Sequence, residues 1–524
     1  MSLSRRDLLT AFLGAPFAAI ACRKPVRRRL PPGEIVGASE EVGHLLLDPR
    51  RRSTPESWSS RDVVIVGGGM AGLAAGWRLA HAGFDDYEIF ELEWSPGGTS
   101  RWGQNATSAY PWGAHYVPVP LPENRALIRL LGEMGVMEGG HVAEQYLCRD
   151  PQERVFYRGA WYEGLYLSAG ATRDDMRQLH EFEREIDRWV AKRAFTIPTA
   201  LGSQDAEALA LDRLSAAQWL DAHRWTSPRL RWLVAYACRD DYGATLEDTS
   251  AWAAVFYFAS RIAAPGQPSQ PLITWPEGNG RFVRHLTAAS NGKIDYGWLV
   301  VAVTPSKDGI DVVLLSRNWT YRGIHAKQVI FAAPQFVAPH VIAGYRSTRD
   351  FVYGSWMVAN LTLSERPESH GFPMCWDNVL YESPALGYVV ATHQTGRDSG
   401  PTVLTYYYAF TDHDPNVARR RLYEEYTQRH WAEVVLSDLS RAHPEIRGIT
   451  QRLDVMRWGH AMVRPYPGFI TSAARREAAQ PFRGIEFANT DLSGVALMEE
   501  ALYHGVRAAE SVLARSGRVV ETYL

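Results

Sequence analysis

The sequence predicts an α/β protein with a nucleotide-binding domain built on a parallel sheet. Three observations carry this. Val63–Val66 is a short β-branched run of the kind that forms a strand buried on both faces. Gly67, Gly69 and Gly72 follow at once in G-x-G-x-x-G spacing and open a helical stretch, Leu73 to His81. A second apolar run, Tyr87 to Phe90, then ends in the acidic Glu91. Strand, glycines, helix, strand and acid in that order make a Rossmann-like unit, a far more specific signal than the glycines alone.

Each residue of the unit has a physical role. Gly67 permits the tight turn, Gly69 lets the backbone approach a pyrophosphate, and Gly72 lets the helix pack close to the strand. Met70 and Ala71 stand at the helix start, where free N–H groups and the positive end of the dipole face an anion. Glu91 is placed to accept hydrogen bonds from a ribose diol, and its charge would repel a 2′-phosphate, so NADP is not expected.

Length and composition set the bounds. A chain of 524 residues exceeds one ordinary core, so two domains are expected. Hydrophobic residues at 46%, charged residues at 22% and a net charge of −2 fit a globular protein with no nucleic-acid partner. The cysteines are Cys22, Cys148, Cys238 and Cys375, without the spacing of a metal or redox site; no metal is expected.

The N-terminus carries a different message. Arg5-Arg6 precede a weakly apolar stretch, Leu8 to Ala21, too short to span a bilayer and suited to a removable signal. Residues 1–22 resemble a twin-arginine signal, which implies passage through the twin-arginine translocase and a periplasmic destination. Cys22 follows Ala19-Ile20-Ala21, a lipobox-like setting with an atypical first Ala, and offers a membrane tether through lipid. Residues 23–60, rich in Arg, Pro and Ser, read as a linker. The apolar segment 251–264 is short and reads as a buried helix.

Beyond Glu91 come Gly97-Gly98 and then Gly113-Ala114-His115-Tyr116. This succession resembles the flavin-containing amine oxidase superfamily, which also contains protoporphyrinogen oxidase and the phytoene desaturases, and it favours FAD over NAD. The resemblance continues through TWPEGNGRFVRHL (274–286), where Asn279 interrupts a glycine pair, the hairpin 299–314, the strand 326–334 and the closing segment 485–513. It implies that Gly97, Gly98, Gly113 and Ala114 approach the flavin, that Val300 sets backbone groups against the adenine, that Asp491 holds the ribitol chain, and that the backbone at Met498 faces the flavin N1/C2 edge. Thr99 stands where the family usually has Arg, and Arg101 would supply the charge. No cysteine lies where relatives attach flavin covalently, so the FAD is expected to be non-covalent. The same resemblance implies a Rossmann-like FAD-binding domain assembled from separated stretches of chain, 61–140, 271–340 and 456–515, with an inserted α+β substrate domain, 141–270 and 341–455. The first inserted piece has helical periodicity at 181–195 and 214–225; the second alternates like strands at 386–394 and 402–410.

For catalysis two histidines are candidates, His115 in the flavin-approaching segment and His460 just before the last one. Trp376, Tyr406, Tyr408 and Trp458 are candidates for an aromatic substrate wall, with Tyr407 on the opposite face of its strand. The Lys that many amine oxidases place near flavin N5 is absent: Val358 occupies that position, and the five lysines of the chain lie elsewhere. The expected reaction is dehydrogenation of a small organic molecule by hydride transfer to flavin N5, with electrons passed to oxygen or another acceptor. An amine or polyamine is the first substrate class. A conjugated or apolar substrate, or an exported protein that holds FAD without turnover, remains as an alternative; acidic cleft residues would mark the amine, an apolar tunnel the lipid.

Overall fold

The computed structural model describes residues 30–48, 54–290, 292–346 and 350–524. The signal 1–22, with Arg5, Arg6 and Cys22, lies outside the described residues.

The nucleotide-binding half is a seven-stranded sheet in the order Ile294–Tyr296, Tyr87–Glu91, Ser57–Val66, Tyr321–Phe331, Ile310–Ser316, Trp298–Pro305, with Ile485–Phe487 beside the end of Tyr321–Phe331. Its five central strands pair in parallel, and the 298–316 hairpin closes one edge antiparallel. Val63, Val64 and Ile65 are fully buried, as a strand covered on both faces requires. The glycine-loop helix Met70–His81 packs against Met498–Arg515 and Gly280–Ala289. The crossing is close: a Cβ on Gly505 would lie 2.3 Å from the Ala71 carbonyl oxygen. Three widely separated chain segments therefore build one domain, as the fold class anticipates.

The other half is an eight-stranded sheet with a helical lobe. The strand order is Ile35–Gly37, Thr450–Val463, Tyr353–Leu363, Thr402–Phe410, Gly387–Val390, Asp377–Leu380, Glu153–Tyr157, Ala160–Glu163. One face, including Leu404, Tyr406 and Phe410, packs on Trp431 and Leu436 of the helix Gln428–Leu439. The opposite face, including Val403, Tyr407, Trp356 and Val358, turns toward the nucleotide domain. The lobe gathers Arg173–Lys192, Ala216–Ala222, Pro228–Tyr242 and Ala251–Ala259 round a common core. The apolar stretch at 251–264 is thus a buried helix.

Two boundaries need correction. The stretch 23–60 is not a simple linker in its described part: Ile35–Gly37 pairs in parallel with Val455 and Met456, two short helical turns cover Glu40–Leu47, and the first Rossmann strand already begins at Ser57. Edge pairing uses backbone groups and leaves no hydrophobic periodicity to read. The division at 455/456 also cuts through one continuous strand, Thr450–Val463. Among the described residues no helix is long and apolar enough to cross a membrane.

Candidate active site: a dinucleotide cleft and an acidic inner cavity

The four glycine-containing segments, at 67–72, 97–99, 113–114 and 278–280, are tied to one another by their backbones. Gly97 N–H donates to the Gly68 carbonyl at 2.8 Å, Ala114 N–H to the Thr99 carbonyl at 2.9 Å, and Asn279 N–H to the Ala114 carbonyl at 3.1 Å. The second contact leaves no room for a side chain on Gly113, whose Cβ would lie 2.2 Å from the Thr99 oxygen. A Cβ on Gly72 would likewise come within 1.9 Å of the Gly67 oxygen, while Gly67 itself sits at φ 103°. Gly69 differs: its Cβ would meet only Gly98 Cα, at 4.0 Å, and would point into open space.

That open space is a cleft of ≈ 590 Å³. Gly67, Gly69, Met70, Ala71, Glu91, Gly97, Gly98, Thr99, Ala114, Val300, Asp491 and Met498 all line it, so most sequence candidates converge on one place. Gly72 and Gly113 act behind the wall, by the close contacts given above. Arg101 is not part of the wall; its Nη1 is buried with no hydrogen-bond partner, 3.8 Å from Glu93 Oε2. Arg457, which sequence reasoning did not single out, lines the cleft instead.

The carboxylates here are held by backbone. Glu91 accepts from Gly68 N–H at 2.7 Å and Glu93 N–H at 2.8 Å, and burial pushes its carboxyl upward against those bonds. Asp491 takes both its donors, Gln335 N–H at 2.8 Å and Tyr353 Oη at 2.7 Å, on Oδ2, leaving Oδ1 for a ligand. The residues fit a dinucleotide: a glycine cradle with open space over Gly69, a helix N-terminus, and a buried polar atom without a protein partner on the cleft wall, Asn489 Oδ1.

The cleft adjoins a second, inner cavity of ≈ 140 Å³. Thr99, Ala114, Trp458, Ala461, Leu497 and Met498 line both and form the rim between them. His115 and Tyr407 form one inner wall, ring centroids 4.7 Å apart and 27° between planes. His115 Nδ1 lies 3.2 Å from the Gly113 carbonyl, an acceptor only, so Nδ1 carries the proton and Nε2 keeps its lone pair. Burial lowers the His115 pKa to about 4, so the ring is neutral near pH 7. Val358 lines the same cavity, where the family resemblance places Lys.

The other end of the inner cavity is acidic. Asp240 and Asp241 come from the last turn of Pro228–Tyr242, and Glu499 from the first turn of Met498–Arg515. Asp241 is paired with Arg261 at 2.8 Å. No hydrogen bond from another residue's side chain reaches Asp240 or Glu499 among the described contacts, although Glu499 is only 4% exposed. Burial raises Glu499 to about 7; burial and then the neighbouring Asp241 raise Asp240. Beyond Asp240, Asp377 and Glu153 stand directly opposite each other on parallel strands. Like charges so placed are destabilising, and Asp377 is pushed far up by burial and by Glu153.

Several sequence candidates fall elsewhere. His460 is not at the inner cavity; it lines the dinucleotide cleft, stacked on Phe336 at 4.1 Å, with its pKa lowered to about 3 by burial. Tyr406 and Tyr408 face the opposite side of the sheet, Tyr406 Oη donating to Asp438 at 2.8 Å and Tyr408 packing on Trp431. The two-residue period of the strand therefore puts Tyr407 on the wall and its neighbours in the helix-covered core. Trp376 stands behind His115, 5.4 Å between centroids, while Trp458 is on the rim, its Nε1–H donating to the Trp112 carbonyl at 2.7 Å. The acids were missed, but one signal was available: Asp240-Asp241 end a helix, where negative charge opposes the dipole.

Comparison with known proteins agrees with this geometry. Residues 70–513 match the family described as flavin containing amine oxidoreductase. The fold is similar to that of a putrescine oxidase bound to putrescine, with TM-score 0.64 and 17% identity over 87% of this chain and 100% of that one. It is similar also to the cyclohexylamine oxidase of Brevibacterium oxydans, with TM-score 0.63 and 17% identity over 88% and 100%. A stretch of 105 residues is 35% identical to the zeta-carotene-forming phytoene desaturase of Myxococcus xanthus, spanning 20% of this chain and 18% of that relative.

Proposed function

Because the chain belongs to the flavin-containing amine oxidoreductase family, we propose that it is an FAD-dependent enzyme that dehydrogenates an amine taken up as a cation. One observation carries the substrate class: Asp240 and Glu499 line the inner cavity without an ion-paired cation, because the nearby Arg261, whose charge acts on both, is bonded to Asp241. An alkylammonium would supply the missing charge, and the rings of His115, Tyr407 and Trp356 would flank its carbon chain.

FAD in the cleft would supply the hydride acceptor. The residues of the chain do the rest. The acidic end binds the ammonium and takes a proton from it as Glu499 or Asp240 titrates. His115 Nε2 can accept a hydrogen bond from the amine N–H. The rim residues Met498 and Trp458 limit how the substrate carbon reaches the cleft. A long apolar substrate gains nothing from an acidic cavity of ≈ 140 Å³, which weighs against the desaturase alternative.

Oxygen or another carrier is proposed as the final electron acceptor, and export of the folded, loaded protein by the twin-arginine route, with a tether at Cys22, is proposed from residues 1–22 alone. Replacing Arg5 and Arg6 by Lys should trap the precursor in the cytoplasm; undiminished export would contradict the route. The activity is tested by mixing the yellow protein anaerobically with mono- and diamines. Bleaching by at least one primary amine is expected, and a flavin that no amine reduces would remove the reading.

A further inference from the structure

We infer that residues 38–47 form a cap over the dinucleotide cleft, a part of the cofactor site that lies outside the family-matched segment 70–513. The inference rests on the reading that the cleft holds FAD. The chain enters along the edge of the eight-stranded sheet: Leu453 N–H donates to the Pro32 carbonyl at 3.0 Å, Val455 N–H to Glu34 at 2.9 Å, and Ala38 N–H to Arg457 at 3.3 Å. Gly33 is needed there, since its Cβ would lie 1.7 Å from the Leu453 oxygen.

The segment then crosses to the other sheet. Ser39 N–H and Oγ–H both donate to the Glu93 carboxylate, at 2.7 and 2.8 Å. Glu93 lies two residues past Glu91, so the cap is stapled beside the expected ribose-binding acid. Arg317 clamps the joint from the 298–316 hairpin, donating to Ser39 Oγ at 2.8 Å and to the Leu92 carbonyl at 3.1 Å. Glu40 pairs with Arg457 on the opposite wall. Val42, Leu45 and Leu46 pack on Leu299, Val301 and Leu315, while Ala38, Ser39, Glu40, Gly43 and His44 line the cleft.

A dinucleotide in the cleft would therefore lie between the glycine loop and this cap, fastened to both sheets at once. Lifting the cap breaks charge-assisted bonds at Glu93 and apolar contacts at Leu46, so the cap slows cofactor release more than it speeds entry. By linkage the bound dinucleotide holds the cap down.

The test uses the full chain loaded with FAD and the paired variant Ser39→Ala with Arg317→Ala, which removes the side-chain bonds of the staple without touching the glycine loop. Flavin release into excess buffer, followed by the rise of free-flavin fluorescence, should be roughly tenfold faster in the variant. In the wild-type protein, hydrogen exchange at 38–47 should quicken when FAD is removed, while the buried helix 251–259 stays protected. Equal release rates, or exchange at 38–47 indifferent to FAD, would overturn the cap alone. A wild-type protein that takes up no FAD would overturn the cofactor reading and the cap together.

Discussion

Tyr407 lies nearly flat on His115, and its hydroxyl donates to the Gly113 carbonyl at 2.9 Å, the same oxygen that faces His115 Nδ1. The tyrosine thus fixes both the tilt of the imidazole and the carbonyl that sets its tautomer. Removing the hydroxyl in Tyr407→Phe should cost about 1 kcal/mol of stability and slow flavin reduction by amine a few-fold. His115→Ala should keep full flavin content yet slow that reduction by roughly tenfold or more. Stopped-flow reduction measures both, and a His115→Ala enzyme as fast as wild type would remove the ring from the reaction.

Gly72 and Gly69 should separate by experiment. A side chain at Gly72 strikes the Gly67 backbone, so Gly72→Ala should destabilise even the flavin-free protein, by about 1–3 kcal/mol. A side chain at Gly69 meets open space, so Gly69→Val should fold with near-normal melting but purify colourless. Thermal melting and flavin absorbance decide this. A yellow Gly69→Val protein would dissociate the phosphates from this loop.

Glu499 gives the inner cavity a pH signature. Its folded pKa, about 7, is raised above that of a free carboxyl, so its contribution to stability is present at low pH and lost as pH rises through about 7. Asp240 shifts in the same direction. The substrate-free protein should therefore lose thermal stability as pH rises from about 4.5 to about 7, and Glu499→Gln should flatten that slope. Affinity for a non-oxidisable alkylammonium should rise over the same interval, with a proton released on binding. Calorimetry in buffers of differing ionisation enthalpy reads that proton; unchanged affinity across the interval would remove the acidic pair from cation binding.

Most of the cofactor site could be read from sequence because its constraints are local. Gly67 to Gly72 specify a turn and a helix start, and Glu91 ends the next strand; backbone geometry within one βαβ unit dictates all of them. The inner cavity is a different kind of object. His115, Tyr407, Asp240 and Glu499 meet there from four unconnected elements, and only tertiary packing decides which face of each element looks inward. The strand at 402–410 shows the difficulty: alternation says that Tyr407 opposes Tyr406 and Tyr408, but not which side holds the cavity. The segment 35–47 was unreadable for another reason: Ile35–Gly37 is held by backbone pairing, Ser39 and Glu40 by polar partners, and the apolar set Val42, Leu45 and Leu46 spans barely one turn.

We propose that an amine, bound as a cation at Asp240 and Glu499, reduces the bound flavin. The direct measurement is anaerobic titration of wild-type, Asp240→Asn and Glu499→Gln proteins with a saturated diamine, followed by flavin absorbance. Bleaching of the wild-type flavin is expected, with a half-saturating concentration raised roughly tenfold or more in each variant. A wild-type flavin left oxidised by every amine, or variants that match wild type, would contradict it.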